Sequence, residues 1–553
     1  MSSQRKRVLL IEPSYRNKYP PLGLMKLASY HRDRGDYVQF NKLGVGDSGS
    51  AHPLLDTPWD RVYVTTLFSF EWKRTAAAID EAIQFAGGQT ERVFVGGIAA
   101  SLMHEEFTGV ARWAGIRFIR GLLDGPPAIS LQLSADDYEF GADDLHSIPI
   151  DECTPDYSIL THINYEYPVR DAYFGYASRG CVRKCSFCGV PKLEGAQRDM
   201  PPLSKLVEGV DAAHGPMKDL VLMDNNITAS SRYREVIAEI RDLGFQSGAT
   251  FARAKEKPRK RRVDFNQGVD ARILSKSPMF LREMATICIS PLRIAFDHIG
   301  VRKPYETSIR MAADYGLKSL SNYMLYNFMD SPQDLYLRMR LNIELNDELG
   351  IRIWSFPMRY QPVTLKDRSH VGRKWNRYYL RSFQVMLQAT HGVVSGNPSF
   401  FERAYGDSPE TFELLLSLPH AFIFHRDHYE IGAGREVLDD YISLRQRMSE
   451  TQKNQLVANL ADVEANPGMN KRRRYAALAS DATMDDLVRE VARYHSMDTK
   501  TAPITGSTEL VPVFAQLNPE PALPAKEEFI EDAGLFDQDS SRIAIHESAS
   551  AEG

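Results

Sequence analysis

Short apolar runs alternate with segments of helical period along two long stretches of this chain, and that alternation restricts it to architectures with parallel strands. Arg7 to Glu12 (RVLLIE) reads as a strand bounded by Pro13, Leu22 to Arg34 as a helix stopped by Gly35, and Tyr37 to Phe40 as the next strand. Strands are also predicted over Arg61 to Thr65, Arg92 to Val95 and Ile116 to Ile119, with a helix at Lys73 to Phe85. Such units predict an α/β fold that opens with a Rossmann-like, doubly wound parallel sheet. The alternation resumes at Asp219 to Met223 and runs through strands at Val263 to Asn266, Leu292 to Phe296, Ser319 to Leu325 and Arg352 to Phe356. The helices between them are Tyr233 to Leu243, Pro278 to Thr286, Tyr305 to Tyr315 and Pro332 to Leu349. Repeated βα units predict a curved parallel sheet with helices outside.

In such sheets functional side chains sit at the C-terminal ends of strands. Those ends carry Asp224, Asn225 and Asn226; then Asn266, Gln267, Asp270 and Arg272; then Asp297 and His298; then Asn327; and last Arg359 and Tyr360. Each of these also suits a turn or a helix cap.

The densest chemistry is SRGCVRKCSFCGVP, which places Cys181, Cys185 and Cys188 at spacings of four and three. Thiolates are soft ligands suited to zinc and to iron–sulfur clusters. Three are one fewer than a closed site takes, so the triad predicts a cluster with one iron open to a ligand. A zinc site completed by His162 or His214 is the competing reading, and a disulfide is the weaker one. The start MSSQRKRVLLIEP has too short an apolar run for a signal peptide, and no run is long enough to span a membrane. A cytoplasmic protein with no membrane association is therefore expected, with Cys153 and Cys288 as ordinary thiols.

The C-x3-C-x2-C loop, with Phe187 before its third cysteine and Gly189 after it, resembles the cluster loop of the radical S-adenosylmethionine (radical SAM) superfamily. That resemblance implies a 4Fe-4S cluster on Cys181, Cys185 and Cys188, with SAM on the open iron. It implies an enzyme that cleaves SAM reductively to a 5′-deoxyadenosyl radical, which takes hydrogen from an organic substrate, and an electron donor such as flavodoxin or ferredoxin. It also implies a partial (β/α)6 TIM-type barrel. Phe187 would lie near the adenine, Asp224 and Asn225 near the SAM amino group, and Asp270 and Arg272 at its ribose and carboxylate. The opening sheet resembles the cobalamin-binding domain that often precedes this barrel, through KYPPLGLMKLASYHRDRGDYV, Thr65-Thr66-Leu67 and Gly96-Gly97. The family's cobalt-ligand histidine motif is missing, since EPSYRNKYPP stands in its place, which leaves cobalamin binding open.

At 553 residues, 43% hydrophobic and 25% charged, the chain has room for several globular domains. The expected division is a cobalamin-binding-like domain over 1–145, the barrel over 146–365, a mainly helical region over 366–497 and a disordered tail over 498–553. The longer helices of the third region are expected at Trp375 to Gly392, Pro409 to Leu416 and Arg435 to Val463. A net charge of −5 argues against a protein that coats nucleic acid. The basic block Arg253 to Arg262 could still meet phosphate, although a solvated loop is favoured. The alternative function is therefore a nucleic-acid-binding or assembly protein with a structural, cysteine-bound metal. HRDHYE, with His425 and His428, is read as packing or surface rather than a metal site, as are His391 and His420.

Overall fold

The structure, a computed structural model, describes residues 5–44, 57–133, 148–390, 392, 394, 396–466 and 470–497. Five parallel strands open it: β1 (Arg7–Glu12), β2 (Tyr37–Lys42), β3 (Arg61–Thr66), β4 (Val93–Gly97) and β5 (Arg117–Phe118). Their order across the sheet is β2-β1-β3-β4-β5. Side chains alternate faces along a strand, and β1 shows the result. Val8 and Leu10 join the core shared with the helix Leu22–Asp33, while Leu9 and Ile11 join a second core shared with the helix Trp72–Phe85. Both faces of the sheet are thus covered, which is why its strands are nearly continuous apolar runs.

The second array begins with β6 (Ala172–Gly175), a strand too short to stand out in the sequence. An antiparallel pair, β7 (Ser178–Arg179) with β8 (Arg198–Asp199), brackets the cysteine loop. Next come β9 (Asp219–Leu222) and a small antiparallel pair, β10 (Thr250–Phe251) with β11 (Arg259–Lys260). The array continues through β12 (Val263–Phe265), β13 (Leu292–Arg293), β14 (Ser319–Tyr326) and β15 (Arg352–Arg359). Parallel ladders join β6 to β9 to β12, and β13 to β14 to β15. Parallel bridges Val263–Ile289 and Val269–Ile294 connect the two sets, so the parallel strands lie side by side in chain order. The helix between β8 and β9, Leu203–His214, buries Leu203, Val207 and Val210 at helical spacing.

Beyond β15 the described chain is helical. The expected segment Pro409–Leu416 is observed, and Asn376 caps the helix Arg377–Ala389. The single helix expected over Arg435 to Val463 is instead two, Gly432–Gln446 and Glu450–Ala465. The break is chemical: Ser449 accepts from the Gln452 N–H while the Gln452 side chain accepts from the Ser449 N–H, a capping box that starts a new helix. His420 stacks on Tyr378 at 4.6 Å, and His495 meets the Tyr378 hydroxyl at 2.7 Å. The 1–145 boundary, His391 and the tail from 498 lie outside the described residues. Among the described residues, no helix is long and apolar enough to cross a membrane.

Candidate active site

The cysteine loop hangs between β7 and β8, and its root is pinned by ions. Asp151 accepts from Lys26 of the N-terminal layer at 3.0 Å and from Arg179 of β7 at 2.7 and 2.8 Å. Gly180 then turns the chain at a φ of +75°, where an added Cβ would lie 2.2 Å from the Ala196 carbonyl, so only glycine fits. Glu194, on the far side of the loop, accepts from the Gly180 N–H at 2.8 Å and from the Asn225 amide at 2.9 Å. The loop is therefore tied at both ends to the root of the strand array.

Cys181, Cys185 and Cys188 are half-buried free thiols that line one cavity. The Arg183 N–H donates to the Cys181 sulfur at 3.3 Å, and the Val190 N–H to the Cys188 sulfur at 3.5 Å. Burial pushes the Cys185 thiol up, with the Arg272 guanidinium pulling the other way, and burial also pushes the Cys188 thiol up. Backbone donors to sulfur and a nearby guanidinium stabilise thiolates and tune a cluster. Among the described residues, no three His, Cys, Asp or Glu side chains converge as ligands of one metal ion. A four-iron cluster asks for no such convergence, because each thiolate bonds its own iron. Cys153 and Cys288 do not line the cavity, so the triad has no fourth cysteine beside it. The donor set fits an iron–sulfur cluster that leaves one iron to a ligand.

Of the strand-end residues, Asn225, Asn226, Asn266, Gln267, Asp270, Arg272, Asp297, His298, Arg359 and Tyr360 line the same cavity, and Phe187 does so while meeting Phe328 edge-on at 5.7 Å. Asp224 does not; its side chain turns to the backbone before the cysteine loop. It is fully buried and accepts from the N–H groups of Ala177 and Ser178 and from the Ser178 hydroxyl, clamping the turn before the cysteine loop. Burial raises its carboxyl to about 6. Asn327 is a clamp of the same kind, holding the Tyr360 and His370 carbonyls and the Gly372 N–H.

Asp270 is spoken for as well. It caps its own helix by accepting from the Arg272 N–H at 2.9 Å, takes the Arg272 guanidinium at 2.7 and 3.0 Å, and takes Arg183 of the cysteine loop at 2.7 Å. Burial pushes this carboxyl up, but the two arginines outweigh it and hold it below the usual value. Asp297 differs: it lines the cavity, burial raises it to about 6, and no hydrogen-bond donor of the described chain reaches it. Of the basic block, Arg253 and Arg259 pair with Asp171, and Arg261 holds the Met217 and Lys218 carbonyls beside Phe245.

The cavity, about 2560 Å³, also takes in the carboxyl ends of β1, β3 and β4. Gly97 ends β4 at a φ of +105°, where a Cβ would lie 2.3 Å from the Thr66 carbonyl, so the Gly96-Gly97 pair lets β4 turn away beside β3. Among the described residues, the histidine that lines the cavity is His298, from the second array, and the N-terminal sheet supplies none. Two groups that sequence reasoning passed over also face this space. Phe68 and Phe70, after β3, stack at 5.1 Å, and Arg368, from the segment after β15, lies 4.3 Å over Phe70. No local pattern links residues so far apart in the chain.

Fold and site together define an α/β protein in which two parallel arrays open their carboxyl ends on one cavity with a cysteine-lined wall. A solved structure of TsrM, a radical S-adenosylmethionine methyltransferase from Kitasatospora setae with tryptophan substrate and a SAM analogue bound, aligns at a TM-score of 0.42 and 14% identity, over 65% of this chain and 75% of that one. Streptococcus suis SuiB aligns at a TM-score of 0.27 in two structures. With S-adenosylmethionine bound, the identity is 12%, over 40% of this chain and 47% of SuiB. With its precursor peptide SuiA bound, the identity is 13%, over 43% and 51%. The chain thus spans about half the length of SuiB. Likenesses this distant do not fix an activity. No family model matches the chain, and no curated protein does.

Proposed function

We propose that this chain is a radical SAM iron–sulfur enzyme acting on an organic substrate held between its two parallel arrays. The observation that carries the reading is the cavity-lining triad of Cys181, Cys185 and Cys188, with N–H donors on two of its sulfurs and no fourth cysteine in the cavity. We read residues 1–145 as a cobalamin-binding-like layer, 146–365 as a partial (β/α)6 barrel and 366–497 as a helical region packed against it.

The three thiolates would hold a 4Fe-4S cluster, which supplies one electron to SAM and so yields methionine and a 5′-deoxyadenosyl radical. The residues of the chain fix the setting. Asp224 and Glu194 hold the loop's root, and Asp270, through Arg183, ties the middle of the loop to the segment that follows β12. Arg272, beside Cys185, offers its remaining N–H donors to a carboxylate such as that of SAM. Asn225 and Phe187 complete this wall, and the N-terminal layer lines the same cavity. An external reductant is required, and a small electron-transfer protein of the flavodoxin or ferredoxin kind fits that need.

Cobalamin fits less well. Gly96-Gly97 permits close backbone approach, but among the described residues the N-terminal sheet brings no imidazole to the cavity. Anaerobically reconstituted protein given SAM and dithionite is expected to release 5′-deoxyadenosine. Absence of cleavage by protein carrying a full complement of iron and sulfide contradicts the assignment.

A further inference from the structure

The cavity is larger than a single small-molecule site, which typically holds about 300–1,000 Å³; its 2560 Å³ leaves room well beyond the cysteine wall. In an open parallel sheet the binding crevice lies where the strand order reverses, outside the carboxyl ends of the two strands concerned. Here that point falls between β1 and β3, since the chain goes from β1 outward to β2 and then back to the other side. The segments leaving those two strands carry Tyr15 and Arg16 on one side, Phe68 and Phe70 on the other, and all four line the cavity.

Three properties of this crevice select a ligand. The first is an aromatic column: Phe68 and Phe70 stack at 5.1 Å with planes 17° apart, and Tyr15 meets Phe68 edge-on at 6.4 Å. The second is a guanidinium on that column, Arg368 at 4.3 Å over Phe70. The third is unbalanced charge. Neither the Arg368 nor the Arg16 guanidinium makes a hydrogen bond or ion pair among the described residues, whereas Glu12, Asp151, Glu194 and Asp270, four of the five carboxylates that line the cavity, are held by the chain's own donors, and the fifth, Asp297, stands beyond β13 of the second array, near Cys185.

We propose that the crevice between β1 and β3 binds an aromatic carboxylate, with its ring extending the Phe68–Phe70 column and its carboxylate taken by Arg368. A planar guanidinium fork matches a carboxylate with two parallel hydrogen bonds, and an aromatic face accepts both ring and cation. Arg16, exposed at the mouth, adds positive potential for an approaching anion. That this ligand is the enzyme's substrate rests on the radical SAM reading. Its binding does not, so a failure of one leaves the other standing.

The test is calorimetric titration of the full-length protein, without SAM, using 2-naphthoate as probe and 2-naphthamide and cyclohexanecarboxylate as controls. The expected result is at least tenfold tighter binding of 2-naphthoate than of either control. Arg368→Gln should erase the preference over 2-naphthamide, and Phe68→Leu should weaken both naphthyl compounds. Equal binding of all three compounds, no binding of 2-naphthoate at millimolar concentration, or undiminished binding by Arg368→Gln overturns the proposal. If Arg368→Gln does not fold, Phe68→Leu decides: unchanged 2-naphthoate affinity in that variant overturns it as well.

Discussion

Around the cysteine loop the charged groups of the chain mostly satisfy one another: Asp270 holds Arg183 and Arg272, Asp151 holds Lys26 and Arg179, and Glu194 takes Gly180 and Asn225. In the crevice between β1 and β3, the Arg16 and Arg368 guanidinium groups meet no carboxylate among the described residues, and the walls are aromatic. The difference separates two tasks. Bonds among the residues of the chain fix a loop in place, as a wall that positions a reactive centre requires. Donors left unmatched can be satisfied by a ligand, as a recognition surface requires.

This contrast can be broken at either end, and the largest effect is expected at the cysteines. Cys185→Ala should lose both cluster iron and SAM cleavage, read by iron analysis and 5′-deoxyadenosine release; cleavage at the wild-type rate would remove the triad from the chemistry. Next is the clamp behind the loop. Asp224→Ala strands two buried N–H groups and a hydroxyl, each costing about 1–3 kcal/mol, so a loss of about 3 kcal/mol in urea unfolding is expected. A loss within experimental error would mean that Asp224 does not hold the turn.

The helical region provides a third check, with the opposite pH dependence. Burial lowers His420 from 6.5 to about 3, and burial also lowers His495. A depressed folded-state value means that the unfolded chain binds more protons. For His420 the stability is present above pH 6.5 and is lost as pH falls toward 3, by about 1.4 kcal/mol per pH unit, and His495 acts in the same direction. Asp224 and Asp297, raised to about 6, run the other way: their burial cost appears as pH rises through 6. His420→Phe should therefore flatten the acid limb of a stability–pH curve, while Asp297→Asn, which removes an opposing titration between 3.8 and about 6, should steepen it. The smallest effect is expected in the crevice. Arg368→Gln should cost no more than about 1 kcal/mol, the scale of one exposed cation–π contact, because it breaks no ion pair.

Much of this architecture was legible in the sequence, because it follows from local periodicity. The strands of the first sheet and the βα units from Asp219 onward fall where apolar runs and glycine stops put them, and the cysteine spacing marked its loop. Other features carried a signal that went unread: the i, i+4, i+7 run of Leu203, Val207 and Val210, and the Ser-x-x-Gln start at Ser449 that splits the long helix. What could not be read depends on side-chain direction and distant partners. Asp224 and Asn225 are neighbours, yet one turns inward to clamp a turn and the other faces the cavity. Asp270 looks like a free carboxylate until Arg183 and Arg272 are seen upon it, and Arg368 meets Phe70 only in the folded chain.

The most direct measurement is electron paramagnetic resonance of the dithionite-reduced, anaerobically purified protein before and after SAM is added. The account predicts about four iron and four sulfide per chain and a cluster signal that shifts with SAM, because the iron without a cysteine takes the ligand. Zinc in place of iron, or a cluster signal that SAM leaves unchanged, would contradict it.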